Sequence, residues 1–280
     1  MNDPSLAKSS AQVKALADKL KGWGKFIVIE GLNHSGKSSQ SKFLVETLEQ
    51  EFKIPAFYNK NPTARVLGRV IRNLINKVSP SPALLYEASG YLNEVALHKA
   101  MICASFINRV EHIIDKLKKN KDLEEIERQL LFLADRMDDI INIIDVNLMR
   151  GRWVIQDRFD LSTFSYGISC GIPFATLRSY HKISVGSLGL KPDLLIFIDL
   201  DEKEAMKRLM EDKNTTLDIY ESLPKSLKET RANYLYLLKY WETRSVFCSE
   251  ENAFVIIDGS KPIDEVKKEI TLEVAKRFSL

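Results

Sequence analysis

The stretch from Phe26 to Ser39 constrains the fold of this chain more than any other. It begins with the apolar run Phe-Ile-Val-Ile-Glu and continues with the pattern GxxxxGK[ST] from Gly31 to Ser38. Apolar residues at helical spacing follow. A buried strand, a glycine-rich loop and a helix in this order are the context that a phosphate-binding loop (P-loop) requires. A chance glycine turn before a surface helix is the alternative, and the preceding strand disfavours it.

Each position of this loop has an expected role. Gly31 and Gly36 allow the backbone to curl so that successive N–H groups point inward, and the next helix adds the positive end of its dipole. Lys37 is expected to reach the β and γ phosphates of a nucleotide, and the Ser38 hydroxyl to ligate Mg²⁺. The predicted phosphate-binding residues are Gly31, Asn33, His34, Ser35, Gly36, Lys37, Ser38 and Ser39.

Composition narrows the class of protein. Of the 280 residues, 45% are hydrophobic and 28% charged, which is typical of a globular protein with ample core. The formal charge of +3 is too small to indicate nucleic-acid binding. The three cysteines form no CxxC pair, so neither a disulfide framework nor a zinc site is expected, and a reducing, cytoplasmic location is predicted. No stretch has the roughly 20 apolar residues needed to cross a bilayer, so no membrane association is expected.

Residues 1–24 predict a basic amphipathic helix that is separate from the main domain at 25–280. Apolar residues recur there at helical spacing with four lysines among them. An organelle transit peptide would be rich in arginine and poor in acids. This segment has no arginine and contains Asp3 and Asp18, so an extra helix beside the domain is favoured, with a cleaved leader as the alternative.

The rest of the chain alternates between strand and helix patterns. Because each strand is a continuous apolar run, the pattern predicts an α/β fold of three layers, in which a five-stranded parallel sheet has helices on both faces. Pro55 places the second strand at the start or the edge of the sheet. Besides Phe26–Gly31, the predicted strands are Ile54–Tyr58, Trp153–Arg158, Leu194–Leu200 and Phe254–Gly259.

Two segments between the strands carry further expectations. From Ala83 to Arg150 the sequence is helical throughout, and a charged run at 116–127 predicts a turn between two of its helices. Residues 210–223 are polar and aperiodic, as in a mobile lid over a site. A long helix is predicted from Lys225 to Cys248.

Asp157 ends the Trp153 strand. A carboxylate at the carboxyl end of a strand beside the P-loop strand is where a nucleotide-binding sheet holds Mg²⁺ or a water bound to it. A structural Asp157–Arg158 pair at the strand end is the alternative.

With these pieces in order, the chain resembles the thymidylate kinase family of P-loop nucleoside monophosphate kinases, over roughly residues 25–278. Several motifs carry the resemblance in the family's order. They are the strand and P-loop at 26–40, Lys60-Asn61-Pro62-Thr63 followed by Leu67 to Arg72, Phe132 to Arg136, Asp157-Arg158-Phe159 with Ser162 and Tyr166, Pro192-Asp193 with Ile196 to Asp199, and Val255 to Asp258.

The resemblance implies an ATP-dependent kinase that uses Mg²⁺ and acts on a nucleoside monophosphate, most closely dTMP. In such a site Lys37, Asp157 and Arg158 are the catalytic residues, and Ser38 and Asp157 hold the metal. Arg208 is added to the ATP-binding residues, and a homodimer is expected. The acceptor nucleotide is assigned to Pro62, Arg72, Phe132, Arg136, Arg158 and Tyr166, with the Phe132 ring on the base and the arginines on phosphate and base edge.

Several positions depart from the family pattern. Asn33 stands where an aspartate commonly contacts the acceptor sugar, and His34 where an arginine can assist transfer. The predicted lid has only Lys213 as a cation. Gly167 replaces a glutamine that often contacts the base, and Asn61 replaces an acid before the proline. The helical region at about 79–128 is longer than the family requires and is interpreted as an insertion.

These departures leave two alternatives open. One is a nucleotide-binding regulatory protein with weakened transfer. The other is a deoxynucleoside kinase, although the retained pair Arg72 and Arg158 speaks against a neutral hydroxyl acceptor, which would give such a clamp less charge to neutralise.

Overall fold

A computed structural model of the chain describes residues 22–98, 104–211 and 224–280. The amphipathic helix predicted at 1–24 and the lid predicted at 210–223 lie almost entirely outside these ranges. In the described part of the chain, no helix has both the length and the hydropathy needed to span a membrane.

The five-stranded parallel sheet and the α/β class predicted from the sequence are confirmed. The strand order is β2-β3-β1-β4-β5, so the P-loop strand lies in the centre, between the strand that ends in Asp157 and the strand that ends in Asp199. The strands are β1 (Phe26–Gly31), β2 (Ala56–Lys60), β3 (Trp153–Asp157), β4 (Leu194–Asp199) and β5 (Phe254–Asp258).

Strand β2 lies at the edge of the sheet, as predicted, but begins and ends two residues later than predicted. The Ile54 N–H bonds to the carbonyl of Leu48 in the preceding helix, at 2.9 Å, and Pro55 has no N–H to offer. Pairing with β3 therefore runs from Ala56 to Lys60, which lies opposite Asp157. The later end of β2 brings the Lys60 side chain to the carboxyl edge of the sheet.

Helices cover both faces of the sheet. Ile27 and Ile29 of β1 pack on one face with Leu44, and Val28 packs on the other with Phe159. The helices are α1 (Lys37–Gln50), α2 (Val66–Ile75), α3 (Pro82–His98), α4 (Ala104–Lys118), α5 (Glu125–Asp139), α6 (Asp145–Met149), α7 (Asp160–Ser169), α8 (Phe174–Lys182), α9 (Glu202–Glu211), α10 (Pro224–Lys239), α11 (Trp241–Arg244) and α12 (Ile263–Phe278).

The helical region after α2 has the turn that its charge pattern predicts. Helix α4 ends at Lys118 and α5 begins at Glu125, where Glu124 and Glu127 form a capping box. At its other end, α5 runs through a π-helical turn, Ile140–Ile144, into α6. The sequence pattern predicts continuous helix there and gives no sign of this turn.

The long helix predicted from Lys225 to Cys248 is wrong as a single element. Helix α10 ends at Lys239 and the short α11 follows after Tyr240. The Thr243 hydroxyl donates to the Leu237 carbonyl at 2.9 Å and Arg244 Nη1 donates to the Leu238 carbonyl at 2.6 Å. These side-chain bonds satisfy carbonyls at the end of α10 that a continuing helix would have used.

Candidate active site

The loop between β1 and α1 has the curled backbone that its glycines predict. Gly36, at the start of α1, has a φ of 88°, in the left-handed region. A Cβ atom at Gly31 would lie 2.6 Å from the Ile198 carbonyl oxygen of the neighbouring strand. The loop therefore fits closely against β4 and leads directly into the amino end of α1, a position that favours an anion.

Lys37 is buried within this loop. Its Nζ donates to the Leu32 carbonyl and lies 3.5 Å from Ser35 Oγ. Burial, followed by the nearby positive charge of Arg158, lowers the pKa of Lys37 well below its ordinary value. An anion placed in the loop would favour the charged form of Lys37.

Ser38 and Asp157 meet at the carboxyl ends of β1 and β3. The Ser38 hydroxyl donates to Asp157 Oδ2, and the fully buried Asp157 Oδ1 has no hydrogen-bond partner among the described residues. Lys60 Nζ lies 3.2 Å from Ser38 Oγ and 3.7 Å from Asp157 Oδ2. A carboxylate oxygen without a hydrogen-bond partner, next to a hydroxyl, is a suitable ligand pair for a hard cation such as Mg²⁺.

The described residues bring no three His, Cys, Asp or Glu side chains together as a metal site. A cation at Ser38 and Asp157 would therefore take its other ligands from waters and from phosphate oxygens, which is how proteins commonly bind Mg²⁺.

Arg158 joins the end of β3 to the P-loop. Its backbone is left-handed, with a φ of 67°. Its Nη1 donates to Gly31 O and to Ser162 Oγ, both at 3.2 Å, and its Nη2 donates to Asn33 Oδ1. The guanidinium also lies 5.4 Å from the centre of the Tyr166 ring. Asn33 and Tyr166, predicted for different parts of the site, thus share this arginine.

Glu30, which the sequence analysis missed, holds α7 in place beside this arginine. The fully buried carboxylate accepts the N–H groups of Phe159 and Ser162, at 2.8 and 3.1 Å, and the Ser162 hydroxyl at 2.6 Å. Burial raises the pKa of Glu30. An acid at the end of an otherwise apolar strand is a signal that could have identified it.

A cleft with a volume of about 70 Å³ opens beside the P-loop, and most of the predicted acceptor residues line it. Arg72 does not line it, but its Nη1 donates to the Pro62 carbonyl at 2.7 Å on the rim. The predicted residues that line the cleft are Asn33, Pro62, Phe132, Arg136, Arg158 and Tyr166. Asn61 and Ser162, which belong to the sequence motifs but had no assigned role, also line the cleft, as do Ile75, Gln129 and Thr163, which no motif indicated.

Arg136 is almost fully buried and is held by an ion pair. Its Nη1 donates to Asp160 Oδ1 at 3.2 Å and to Thr163 Oγ1 at 2.8 Å, and its Nε to Asn61 Oδ1 at 3.4 Å. The other Asp160 oxygen lies 2.8 Å from His181 Nε2. The charge of Arg136 is therefore compensated inside the protein.

Two buried acids of α5 fix the loop after β2. Asp135 accepts the Thr63 N–H at 2.8 Å and its hydroxyl at 2.5 Å. Asp139 accepts from the side-chain amides of Asn59, at 2.8 and 2.9 Å, and Asn61, at 3.0 Å. Burial raises the pKa of Asp139 to about 7. The two carboxylates clamp both sides of Pro62, which lines the cleft.

Arg208 lies on the other side of the P-loop. Its Nη2 donates to the Gly259 carbonyl at 3.0 Å and its Nη1 to the His34 carbonyl at 3.5 Å. Arg208 therefore bridges the P-loop and the residue that follows β5. Lys213, the lid cation predicted from the sequence, lies outside the described residues.

Comparison with known proteins identifies the family. The family model for thymidylate kinase matches residues 108–270, more than half of the chain. A thymidylate kinase of Shewanella amazonensis is 27% identical over 251 residues, which span 88% of this chain and 94% of that protein. A probable thymidylate kinase of Pyrococcus horikoshii is 30% identical over 214 residues, 76% of this chain and 82% of that protein. The chain belongs to the thymidylate kinase family.

Proposed function

We propose that the protein transfers the γ-phosphoryl group of ATP to a nucleoside monophosphate, with dTMP as the preferred acceptor and dTDP as the product. One observation carries the proposal. Arg158 and Arg72 bond only to neutral oxygens of Gly31, Asn33, Pro62 and Ser162 in the described structure, and neither has a carboxylate within ion-pair distance. Asp157 and Glu30 act on Arg158 only over a longer range, so both guanidinium groups can still form an ion pair with an anionic acceptor.

The P-loop end suits the donor. The curled loop and the amino end of α1 would bind the β and γ phosphates, and Lys37 would stabilise the phosphoryl group during its transfer. Ser38 and Asp157 would hold Mg²⁺, which when bound neutralises charge on the phosphates. Arg208, next to the His34 carbonyl, would contact the ATP on the opposite side of the loop.

The transfer needs positioning and charge neutralisation more than proton chemistry. An oxygen of the acceptor phosphate, already an anion, attacks the γ-phosphorus, and the bond from that phosphorus to the β-phosphate oxygen breaks to release ADP. Arg158 and Arg72 would hold the acceptor phosphate in line with this bond. No residue is required to act as a general base.

The other end of the cleft suits the acceptor's base. The Phe132 ring and the Arg136 guanidinium lie one helical turn apart on α5 and both line the cleft, so the ring can stack on a base while the arginine bonds its edge. Relatives named thymidylate kinase support dTMP as the first choice of acceptor. A cytoplasmic location and a homodimer remain predictions.

An assay of ADP release tests the proposal. The protein is given ATP and Mg²⁺ together with one candidate acceptor at a time, from the panel dTMP, dUMP, dCMP, dGMP, UMP and thymidine. We expect turnover with dTMP above all and none with thymidine, which has no phosphate for the two arginines. Equal turnover with thymidine would favour a deoxynucleoside kinase. Binding of ATP without turnover of any acceptor would favour the regulatory protein.

A further inference from the structure

Lys60 belongs to one of the sequence motifs but has no role in the site as described so far. It is the last residue of β2 and lies opposite Asp157 in the pairing of β2 with β3. Its Nζ donates to Ser38 Oγ at 3.2 Å and lies 3.7 Å from Asp157 Oδ2. The ammonium group of Lys60 therefore contacts the same two side chains that would hold Mg²⁺.

The ammonium group and a metal ion would compete for Ser38 and Asp157, because two cations at one carboxylate repel each other. The Lys60 side chain is 50% exposed, whereas that of Asp157 is buried. An ion pair with such an exposed lysine contributes little to stability, and the lysine has a flexible stem of four carbons. Lys60 can therefore leave Asp157 at little cost and turn to another anion nearby.

Lys60 lies between the loop that would bind the donor and the loop that leads to the acceptor. Ser38, which it contacts, directly follows Lys37 of the P-loop. Burial is the largest cause of the lowered pKa of Lys37, and the positive charge of Lys60 is among the others, so the two lysines are close together. On the other side, Pro62 lines the cleft, two residues after Lys60. A phosphate between the two loops would be within reach of Lys60.

A second lysine has a clear use at this place. The phosphoryl group carries negative charge on three oxygens during its transfer, and a cation held beside them stabilises the transition state. Lys37 approaches this group from the P-loop. Lys60 would approach it from the end of β2, so the two ammonium groups would contact different oxygens.

We propose that Lys60 is a second phosphate-binding lysine, which contacts the γ-phosphate of ATP instead of Asp157 when ATP and Mg²⁺ are bound. The inference rests on the function proposed above and adds a catalytic residue to it.

Binding of ATP and ADP to the variant K60M tests this contact. Methionine keeps much of the length of the lysine side chain but carries no charge. Calorimetry with Mg²⁺ and without an acceptor gives the Kd of each nucleotide. We expect the Kd of ATP to rise roughly tenfold, as for the loss of a charge-assisted hydrogen bond, and the Kd of ADP, which has no γ-phosphate, to change less than about twofold.

Turnover should change in the same direction. We expect the kcat of K60M for phosphoryl transfer to fall roughly a hundredfold, as for the loss of one group that stabilises transition-state charge. The variant K60R keeps a positive charge at this position and should recover most of the lost kcat.

Lys42 provides a matched control. It is an exposed lysine of α1, and its Nζ lies 5.7 Å from the centre of the Tyr58 ring. Among the described residues it bonds to neither Ser38 nor Asp157. K42M therefore removes the same charge from a neighbouring lysine, and should leave both the ratio of the two dissociation constants and kcat as in the wild type.

The outcomes are distinct. A loss of ATP affinity in K60M without a matching loss for ADP supports the contact with the γ-phosphate. Equal losses for the two nucleotides, or none, overturn it. The ratio is informative even if K60M is less stable, because a partly unfolded sample weakens both nucleotides alike.

The proposed function can fail separately. If the wild type binds ATP but phosphorylates no acceptor, the proposed function fails and the ratio of the two dissociation constants still decides the role of Lys60. If the wild type does not bind ATP, both fail.

Discussion

At the P-loop end of the cleft, Arg158 and Arg72 bond to neutral oxygens, whereas at the far end Arg136 pairs with Asp160, which in turn contacts His181. All three arginines lie in or beside one cleft. A carboxylate of the protein compensates the charge of Arg136, whereas Arg158 and Arg72 have no carboxylate partner in the part of the chain that is described.

This difference matches the ligand groups that the proposed function assigns to the two ends. An arginine whose guanidinium bonds to no carboxylate of the protein keeps those donors for a ligand of opposite charge. An arginine paired with a carboxylate offers hydrogen bonds with little net charge, which suits an uncharged ring. In the proposed function, the pairing of each arginine, more than its presence, distinguishes the end that binds the acceptor phosphate (the phosphate end) from the end that binds the base (the ring end).

The largest expected effect is at Lys37. The K37A variant should lose roughly a thousandfold or more in kcat, because it removes the cation that stabilises the transferred phosphoryl group. Its Tm without nucleotide should equal or exceed that of the wild type, since burial disfavours the charged form of Lys37. ADP release and thermal unfolding measure both effects, and full activity would rule out the assigned role of the P-loop.

Two variants test the contrast between Arg158 and Arg136. R158M should weaken binding of dTMP roughly ten- to hundredfold, as expected for a lost charge-assisted bond, and change thymidine binding little. R136M/D160N removes the arginine and its buried partner together, and should weaken dTMP and thymidine equally. The KM for ATP should change far less than the KM for dTMP. Calorimetry with both ligands measures this.

If R158M and R136M/D160N weakened the binding of dTMP and thymidine in the same proportion, the contrast between the two ends of the cleft would be wrong. In that case the two ends would not differ in the charge they present to the ligand. A single R136M variant is a useful third protein, because it leaves Asp160 buried without its arginine and should lower Tm more than R136M/D160N does.

The smallest expected effect concerns the pH dependence of stability at the ring end. The pKa of Asp139 is about 7 when folded and 3.8 for an ordinary aspartate, so the folded state binds this proton more tightly. The resulting stability is fully present below about pH 4 and is lost as pH rises to about 7. Its upper limit is on the order of 4 kcal/mol.

The free energy of unfolding of the D139N variant should therefore change less with pH between about pH 4 and pH 7. Urea unfolding of the wild type and of D139N at pH 5.5 and pH 8 measures the difference between them. We expect the wild type to lose more stability than D139N over this interval. Parallel profiles would mean that Asp139 is ionised throughout and that other groups set the pH dependence.

The P-loop end was largely predictable from the sequence. Gly31, Gly36, Lys37 and Ser38 are consecutive parts of one motif, and local backbone geometry fixes their arrangement. Asp157 was predicted because it ends a strand, and the sheet order then places it beside Ser38. Such positions depend on periodicity and topology, which are visible along the chain.

The ring end was less predictable because its contacts join distant segments. Gln129, Asp160 and His181 have no local signal, and their positions in the site depend on how α5, α7 and α8 pack together. Arg136 was found only through the family resemblance. The late start of β2 depends on a bond from Ile54 to Leu48 that the strand pattern does not reveal.

The chain of contacts from Arg136 through Asp160 to His181 has a kinetic consequence. Ordering a long arginine side chain costs roughly 1.5 to 2 kcal/mol of conformational entropy. Here three helices restrain that side chain when the protein folds, so the ligand does not have to supply this ordering when it arrives. Association at the ring end should therefore proceed to a preformed surface, and the slow rearrangements of a catalytic cycle are expected elsewhere in the molecule.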